Sequence, residues 1–304
     1  GIRDYKVTGV QTCALPISGR LMIPIRDKIG RVCAFTARKL GQTPEWNDRK
    51  SPKYVNSPET AIFEKGNLLF NLHLANKNIS EDSEFLLVEG QLDAIRCWSE
   101  GFFTAVAPQG TAFTQNQASL LYRSRPKGVV CLLDGDEAGQ KAALSYVSIF
   151  LQSGLDARFA ELPPGSDPDQ ILQSGGQEAM RKVLDGAVSM IEFVVRKKLP
   201  KGSSSSPKRK DAVCQWMFAA FMGIDTRVAL EGYLQQLSHL IAIPVDALKS
   251  DFAHFKRNKT PAYRGPQTGF DENDSTKSPD RLTIVEEDLL FVLLHDDRLA
   301  SPLA

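Results

Sequence analysis

The chain has little that could staple it together. Its five cysteines, Cys13, Cys33, Cys97, Cys131 and Cys214, are odd in number, scattered, and nowhere spaced as C-x-x-C. That pattern excludes a disulfide framework and a cysteine-based zinc site. The four histidines are equally dispersed and read as ordinary surface or core residues. No apolar run approaches the ~20 residues that span a bilayer, and no segment has the charged start, apolar stretch and small-residue cleavage site of a signal peptide. A membrane is therefore not an expected partner, and the cytoplasm is the expected location. No internal repeat is visible. Net charge is nearly lacking as well, at +1 over 304 residues.

What is present is an uneven distribution of that charge. Residues 19–80 hold 11 Lys and Arg against 5 Asp and Glu, a net of +6, whereas residues 81–172 hold 6 against 13, a net of −7. A basic stretch followed by an acidic one suits a polyanion on one side and cations on the other. A fluctuating surface charge would give the same numbers, so the positions of the acids must decide.

Residues 1–18, GIRDYKVTGVQTCALPIS, have no periodicity and read as a non-native leader. Residues 19–82 read as a partial basic subdomain. Within it, Leu21–Ile25 and Arg31–Thr36 flank the polar turn Asp27-Lys28-Ile29-Gly30 and predict a β-hairpin. Pro44, Pro52 and Pro58 exclude regular helix from 41 to 58. Residues 83–172 alternate between strand and helix. Phe85–Val88, Thr104–Ala107, Val129–Leu133 and Ala157–Ala160 are short apolar runs, separated by helices over Leu92–Glu100, Thr114–Tyr122 and Glu137–Leu151. Short, mainly apolar strands alternating with helices, Val129–Leu133 being unbroken in its apolar character, predict a parallel four-stranded sheet covered on both faces. Residues 173–258 read as all-helical, with an exposed loop over Lys201–Lys210. Residues 259–280 form a Gly/Pro/Ser-rich linker, and 281–304 begin a further amphipathic helix.

The acids fall at the strand ends. Glu89 follows the first strand, Asp134 and Asp136 follow the third, and Asp167 and Asp169 follow the fourth in an irregular Pro-rich segment. In a parallel sheet such positions converge on the carboxyl edge, where ligands bind. Crowded carboxylates repel one another and are pushed toward the neutral form. Hard divalent cations such as Mg²⁺ or Mn²⁺ remove that penalty, and they point to phosphoryl transfer. Asp134-Gly135-Asp136-Glu137-Ala138-Gly139 also starts like an EF-hand loop. The twelfth position is Ser145, however, where a bidentate Glu is needed, and a strand precedes it.

At this point a resemblance carries further. Val88-Glu89-Gly90-Gln91-Leu92-Asp93 resembles the V-E-G-Y-M-D of bacterial DnaG-type primases, Leu133 to Gly139 their Y-D-G-D-x-A-G, and Asp167-Pro168-Asp169 their D-P-D. Upstream, Pro52 to Thr60 is similar to P-K-Y-L-N-S-P-E-T, Phe63-Glu64-Lys65-Gly66 to F-x-K-G, and Phe35-Thr36-Ala37-Arg38 to F-G-G-R. Gln91 replaces the usual aromatic, Pro108-Gln109-Gly110-Thr111 replaces L-G-T, and Thr36 and Ala37 replace two glycines. The resemblance covers residues 19 to about 258, and weakly 281–304.

The resemblance implies an α/β TOPRIM fold, preceded by part of a mixed α+β basic subdomain and followed by a helical one. It implies synthesis of short RNA primers on single-stranded DNA from ribonucleoside triphosphates, with two or more Mg²⁺ or Mn²⁺ ions. Glu89, Asp93, Asp134, Asp136, Asp167 and Asp169 would be the metal ligands. Glu89, Asp134 and Asp136 would carry catalysis, Glu89 either as ligand or as general base. Arg38, Lys53, Asn56 and Lys65 would hold template or nucleotide phosphates. The family's zinc-binding domain has no counterpart in this chain. The replicative helicase is the expected partner of the full-length protein, and the chain itself is expected to be a monomer. Other readings are a type IA topoisomerase, for which no tyrosine-bearing domain is evident, an OLD-type nuclease, which lacks P-K-Y-x-N-S-P, and a non-catalytic remnant that only binds nucleic acid.

Overall fold

The computed structural model describes residues 19–41, 43, 52–110, 112–199 and 206–259. The expectations for the leader and for the segment from 260 onward lie outside the described residues. Strands β1 (Arg20–Arg26) and β2 (Val32–Lys39) form the expected hairpin. Asp27 closes its turn: Oδ1 accepts from the N–H groups of Ile29 and Arg31, and Oδ2 takes the Arg31 guanidinium at 2.8 Å. A third antiparallel strand, β3 (Tyr54–Asn56), pairs with β2, setting Thr36 opposite Asn56 and Arg38 opposite Tyr54.

After the short helix α1 (Leu72–Ala75) come β4 (Glu84–Val88), α2 (Gln91–Ser99), β5 (Ala105–Val106), α3 (Gln115–Arg123), β6 (Gly128–Leu133), α4 (Glu137–Ser153), β7 (Ala157–Glu161), α5 (Pro168–Asp185), β8 (Val188–Ser189), α6 (Met190–Lys198), α7 (Pro207–Phe221), α8 (Arg227–Ile241) and α9 (Val245–Lys259). The sheet order is β5-β4-β6-β7-β8. Its first four strands are the four parallel strands read from the sequence. The fifth is a correction, because β8 lies in the region expected to be wholly helical and pairs antiparallel with β7. Two residues carry no periodicity, and Ser189 also caps α6 by accepting from Glu192 N–H.

Two further corrections share one cause. The segment around Asp167-Pro168-Asp169 is the start of α5 rather than irregular chain, and Pro207–Lys210 is the start of α7 rather than loop. Proline breaks helix interiors but suits the first turn, where its missing N–H has no helical partner to lose.

The sheet explains its own sequence. Along β4, Phe85 and Leu87 enter one core while Leu86 and Val88 enter another; along β6, Val129, Cys131 and Leu133 face the first, and Val130 and Leu132 the second. Alternation sends successive side chains to opposite faces, and both faces are covered, so the inner positions are apolar, while Glu84 and Arg158 on neighbouring parts of the sheet pair with each other. Helices α2 and α5 cover one face. Helices α3 and α4 cover the other, and the hydrophobic residues of α6 to α9 continue that same core. Phe159 stands at its centre, stacked on Phe193 with centroids 4.5 Å apart. Among the described residues no helix is long and apolar enough to cross a membrane.

Candidate active site

Strands β4, buried from Phe85 onward, and β6, buried throughout, end at Val88 and Leu133, and the next residue of each is an acid. Glu89 and Asp134 are thus delivered to adjacent strand ends at the carboxyl edge, one residue out of step, because β4 and β6 are hydrogen-bonded neighbours with Val88 opposite Leu132. Glu89 is exposed and Asp134 half-buried. Asp93 comes from the first turn of α2, where Oδ2 accepts from Gly90 N–H at 3.0 Å. Asp136 caps α4 by accepting from Gly139 N–H at 2.7 Å, and Asp167 caps α5 by accepting from Gln170 N–H at 2.8 Å. Asp169 stands 3.0 Å from Arg96 Nε in an ion pair.

Two glycines make the close approach of these loops possible. A Cβ on Gly135 would sit 2.3 Å from the carbonyl oxygen of Pro163, and one on Gly139 would sit 2.4 Å from that of Asp134. Both contacts are backbone, so neither could yield cheaply. Gly135 N–H donates to Ser166 O at 3.1 Å, tying the loop after β6 to the loop after β7. The D-G-D-x-x-G spacing is therefore the sequence trace of this contact.

Opposite the acids stands the β2–β3 wall. Together they line one cleft of about 790 Å³, which includes Arg38, Lys53, Asn56, Glu89, Asp93, Asp134, Asp167 and Asp169. Of the sequence-predicted residues, only Asp136 and Lys65 do not line it. Asp136 is close enough to add its charge to the field on Asp134. Lys65 lies in a 3-10 turn whose backbone is held by Glu59 and Gln117.

The wall contains residues that the sequence reading missed. The Tyr54 ring lies 5.5 Å from the Arg38 guanidinium and 5.8 Å from Lys53 Nζ, and its hydroxyl accepts from Arg38 Nη1 at 2.9 Å. Buried Thr36 donates to Asn56 Oδ1 at 2.7 Å, fixing that amide. Arg96 also lines the cleft. Its signal was its position, one turn beyond Asp93 on the same helix face. Gln91 and Gln109, two departures from the family pattern, are both buried and joined by a 2.5 Å hydrogen bond.

The electrostatics are those of an acid cluster. Burial, reinforced by Asp167, Glu89 and Asp169, pushes the Asp93 carboxyl up to about 6. Burial, together with Glu89, Asp93, Asp167 and Asp136, pushes Asp134 up to about 7. Asp134 Oδ1 is buried with no hydrogen-bond partner, an arrangement that costs free energy unless something compensates it. As placed, no three Asp, Glu, His or Cys side chains among the described residues converge on one point. Four of the six acids are instead held by Gly90, Gly139, Gln170 and Arg96. The donor set is nonetheless all carboxylate oxygen, with one orphaned buried oxygen at its centre, and it fits a hard divalent cation.

Residues 8–76 match the family described as the DNA primase catalytic core, N-terminal domain, and residues 86–172 match the family described as Toprim-like. The chain is 41% identical over 177 residues to the DNA primase of Aquifex aeolicus (strain VF5), a match that covers 58% of this chain and 34% of that protein. It therefore spans about a third of the length of that curated relative. Its fold is similar to a DNA primase domain from Pseudomonas aeruginosa, with a TM-score of 0.67 and 30% identity over 78% of this chain and 72% of that one. It is also similar to a DnaG primase catalytic domain bound to ssDNA, with a TM-score of 0.64 and 34% identity over 74% of this chain and 69% of that one. With both domains present in order and the likeness extending over most of a primase core, the chain belongs to the DnaG-type DNA primase family.

Proposed function

We propose that the cleft joins ribonucleotides into RNA primers on a single-stranded DNA template. One observation carries this reading: an acid cluster at the sheet edge and a basic, aromatic-bearing wall share a single cleft. The solved primase domain bound to ssDNA supports the choice of template. Glu89, Asp93, Asp134, Asp136, Asp167 and Asp169 would hold two or more Mg²⁺ or Mn²⁺ ions. When bound, such ions neutralise charge on the attacking and leaving oxygens of an in-line displacement.

The chain's own groups do the rest. Arg38 and Lys53, braced by Tyr54, hold phosphates against the wall. The Asn56 amide, fixed by Thr36, offers its remaining donors to a phosphate or sugar oxygen. Lys65 stands outside the cleft lining and would act on a strand that extends past it. Glu89, exposed at the end of β4, serves as ligand or as the base that takes the proton from the attacking 3′-hydroxyl. Asp134 and Asp93 must lose their protons before they can ligate, so metal binding releases protons and weakens as pH falls. The helicase interaction belongs to the longer protein and involves residues from 281 onward. The test is incorporation of labelled ribonucleotides on single-stranded DNA with Mg²⁺ or Mn²⁺. Synthesis of short RNA supports the reading; degradation of the template without synthesis would favour a nuclease and sink it.

A further inference from the structure

Residues 196–210 contain seven Lys and Arg and no Asp or Glu. The structure shows where their described members meet. Helix α6 ends in Arg196-Lys197-Lys198, a favourable place for cations beside the negative end of the helix dipole. Arg196 and Lys197 reach Glu161, the last residue of β7, which places the end of α6 at the carboxyl edge of the sheet. Lys198 Nζ lies 5.1 Å from the Trp216 ring, so Trp216 of α7 stands near that edge too.

The other end of α7 is at the amino edge. Phe221 stacks on Tyr233, whose hydroxyl feels Asp156 at the entry to β7, and Gly223 abuts Gln152 near the end of α4. Helix α7 therefore runs from the carboxyl edge toward the amino edge, and its first turn, Lys208-Arg209-Lys210, stands beside the edge that bears the acids. Helix α9 packs antiparallel to it: Phe252 meets Phe221, and Phe255 meets Phe218. Its last turn, with Lys256, Arg257 and Lys259, therefore lies on the carboxyl-edge side of these rings, along the first half of α7.

Stability does not account for the α7 half of this corner. Cations in a first helical turn oppose the positive end of the dipole and so destabilise the helix, and no acid shares that turn. Lys208, Arg209, Lys210 and Arg257 form no ion pair with any described residue. The corner belongs to the α4–α7 face of the sheet, whereas the Arg38–Lys53 wall adjoins the α2–α5 face, where β1 contributes Ile23 to the core. The acid cluster thus has cationic surface on both sides.

We propose that this corner is a second backbone-binding surface, holding the phosphates of a nucleic-acid strand that extends from the cleft across the carboxyl edge. The identity of the strand rests on the primer-synthesis reading. Binding of oligothymidylates to the full chain, measured by fluorescence anisotropy against salt, tests it. A short oligomer of about six nucleotides fills the cleft alone, and a long one of about thirty reaches beyond it. In the double variant Lys208→Glu/Arg209→Glu, affinity for the long oligomer should fall by about tenfold or more near 0.1 M salt. Its log–log salt slope should shrink by ~1.4, at ~0.7 per contact. The short oligomer should bind as before.

Glutamate in a first turn favours the helix, so the melting temperature should hold or rise. A second variant, Arg257→Gln, should remove ~0.7 from the long-oligomer slope. Lys53→Ala serves as the cleft control and should weaken both lengths. Unchanged binding of the long oligomer, equal weakening of both lengths, or a loss seen only on phosphatidylserine vesicles would overturn the proposal. Length-dependent loss in a chain that incorporates no ribonucleotide would keep the corner and reject primer synthesis instead.

Discussion

The interior of the central sheet and the residues one step beyond it are built on opposite terms. Inside, Phe85–Val88 of β4 and all of β6 are buried and apolar, and both strands are hydrogen-bonded on both sides. One residue later the chain places Glu89 and Asp134 next to each other, and Asp134 retains a buried oxygen with no partner. The same two strands that contribute most to the core force like charges together at their ends. Their rigidity makes this possible: a flexible support would let the carboxylates part. The contrast teaches that stability and chemistry are divided along each strand at a single peptide bond.

Truncating the interior should give the largest effect. Phe159→Ala removes the ring stacked on Phe193 and edge-on to Phe150, and should cost about 3–5 kcal/mol in urea unfolding. A loss below about 1 kcal/mol would mean that the two halves of this core are not continuous. At the edge the sign reverses. Asp134→Ala should reduce ribonucleotide incorporation by more than about 100-fold and weaken Mn²⁺ binding, while metal-free stability holds or rises as repulsion is relieved. An Asp134→Ala protein markedly less stable than wild type would show that this acid serves the fold.

The same comparison can be sharpened with pH. Asp93 and Asp134 titrate at about 6 and about 7 in the folded chain, above their ordinary 3.8. Groups raised in this way leave the metal-free fold most stable below about pH 4, and that contribution is lost progressively as pH rises from about 4 to about 7. After allowance for solvent screening the loss should be about 1–2 kcal/mol for the pair. Urea midpoints in EDTA should fall over that interval, and Asp134→Asn should flatten the fall. A midpoint that climbs from pH 4 to pH 7 would contradict the crowding. The smallest effect lies across the cleft. Lys53→Ala should lower the salt slope of single-stranded DNA binding by ~0.7, one phosphate contact; an unchanged slope would remove Lys53 from the wall.

Much of this was legible beforehand for definite reasons. The strands of the parallel sheet announced themselves because burial on both faces forbids polar residues. The acids announced themselves because they interrupt those runs at their ends. Thr114 was readable as the cap of α3 because its hydroxyl and Gln117 satisfy each other's backbone N–H groups. Strand β8 was not readable: its two residues borrow their partners from β7, and nothing local favours extended chain there. Pro168 and Pro207 were misleading because the same ring that breaks a helix interior also begins a helix.

The sequence by itself determined the order of strands and helices, the acids at the strand ends and the basic stretch before them, since each depends only on local pattern and local charge. Tertiary structure alone decided that Arg38, Lys53 and Asn56 face those acids across one cleft, that Gln91 and Gln109 are a buried pair, and that Arg96 binds Asp169. It also packed α9 antiparallel to α7, so that the basic end of α9 lies along the first half of α7. These juxtapositions join residues from 18 positions apart (Gln91 and Gln109) to 131 apart (Arg38 and Asp169), and they are fixed by how the helices and the β2–β3 wall pack on the sheet, which no local periodicity encodes.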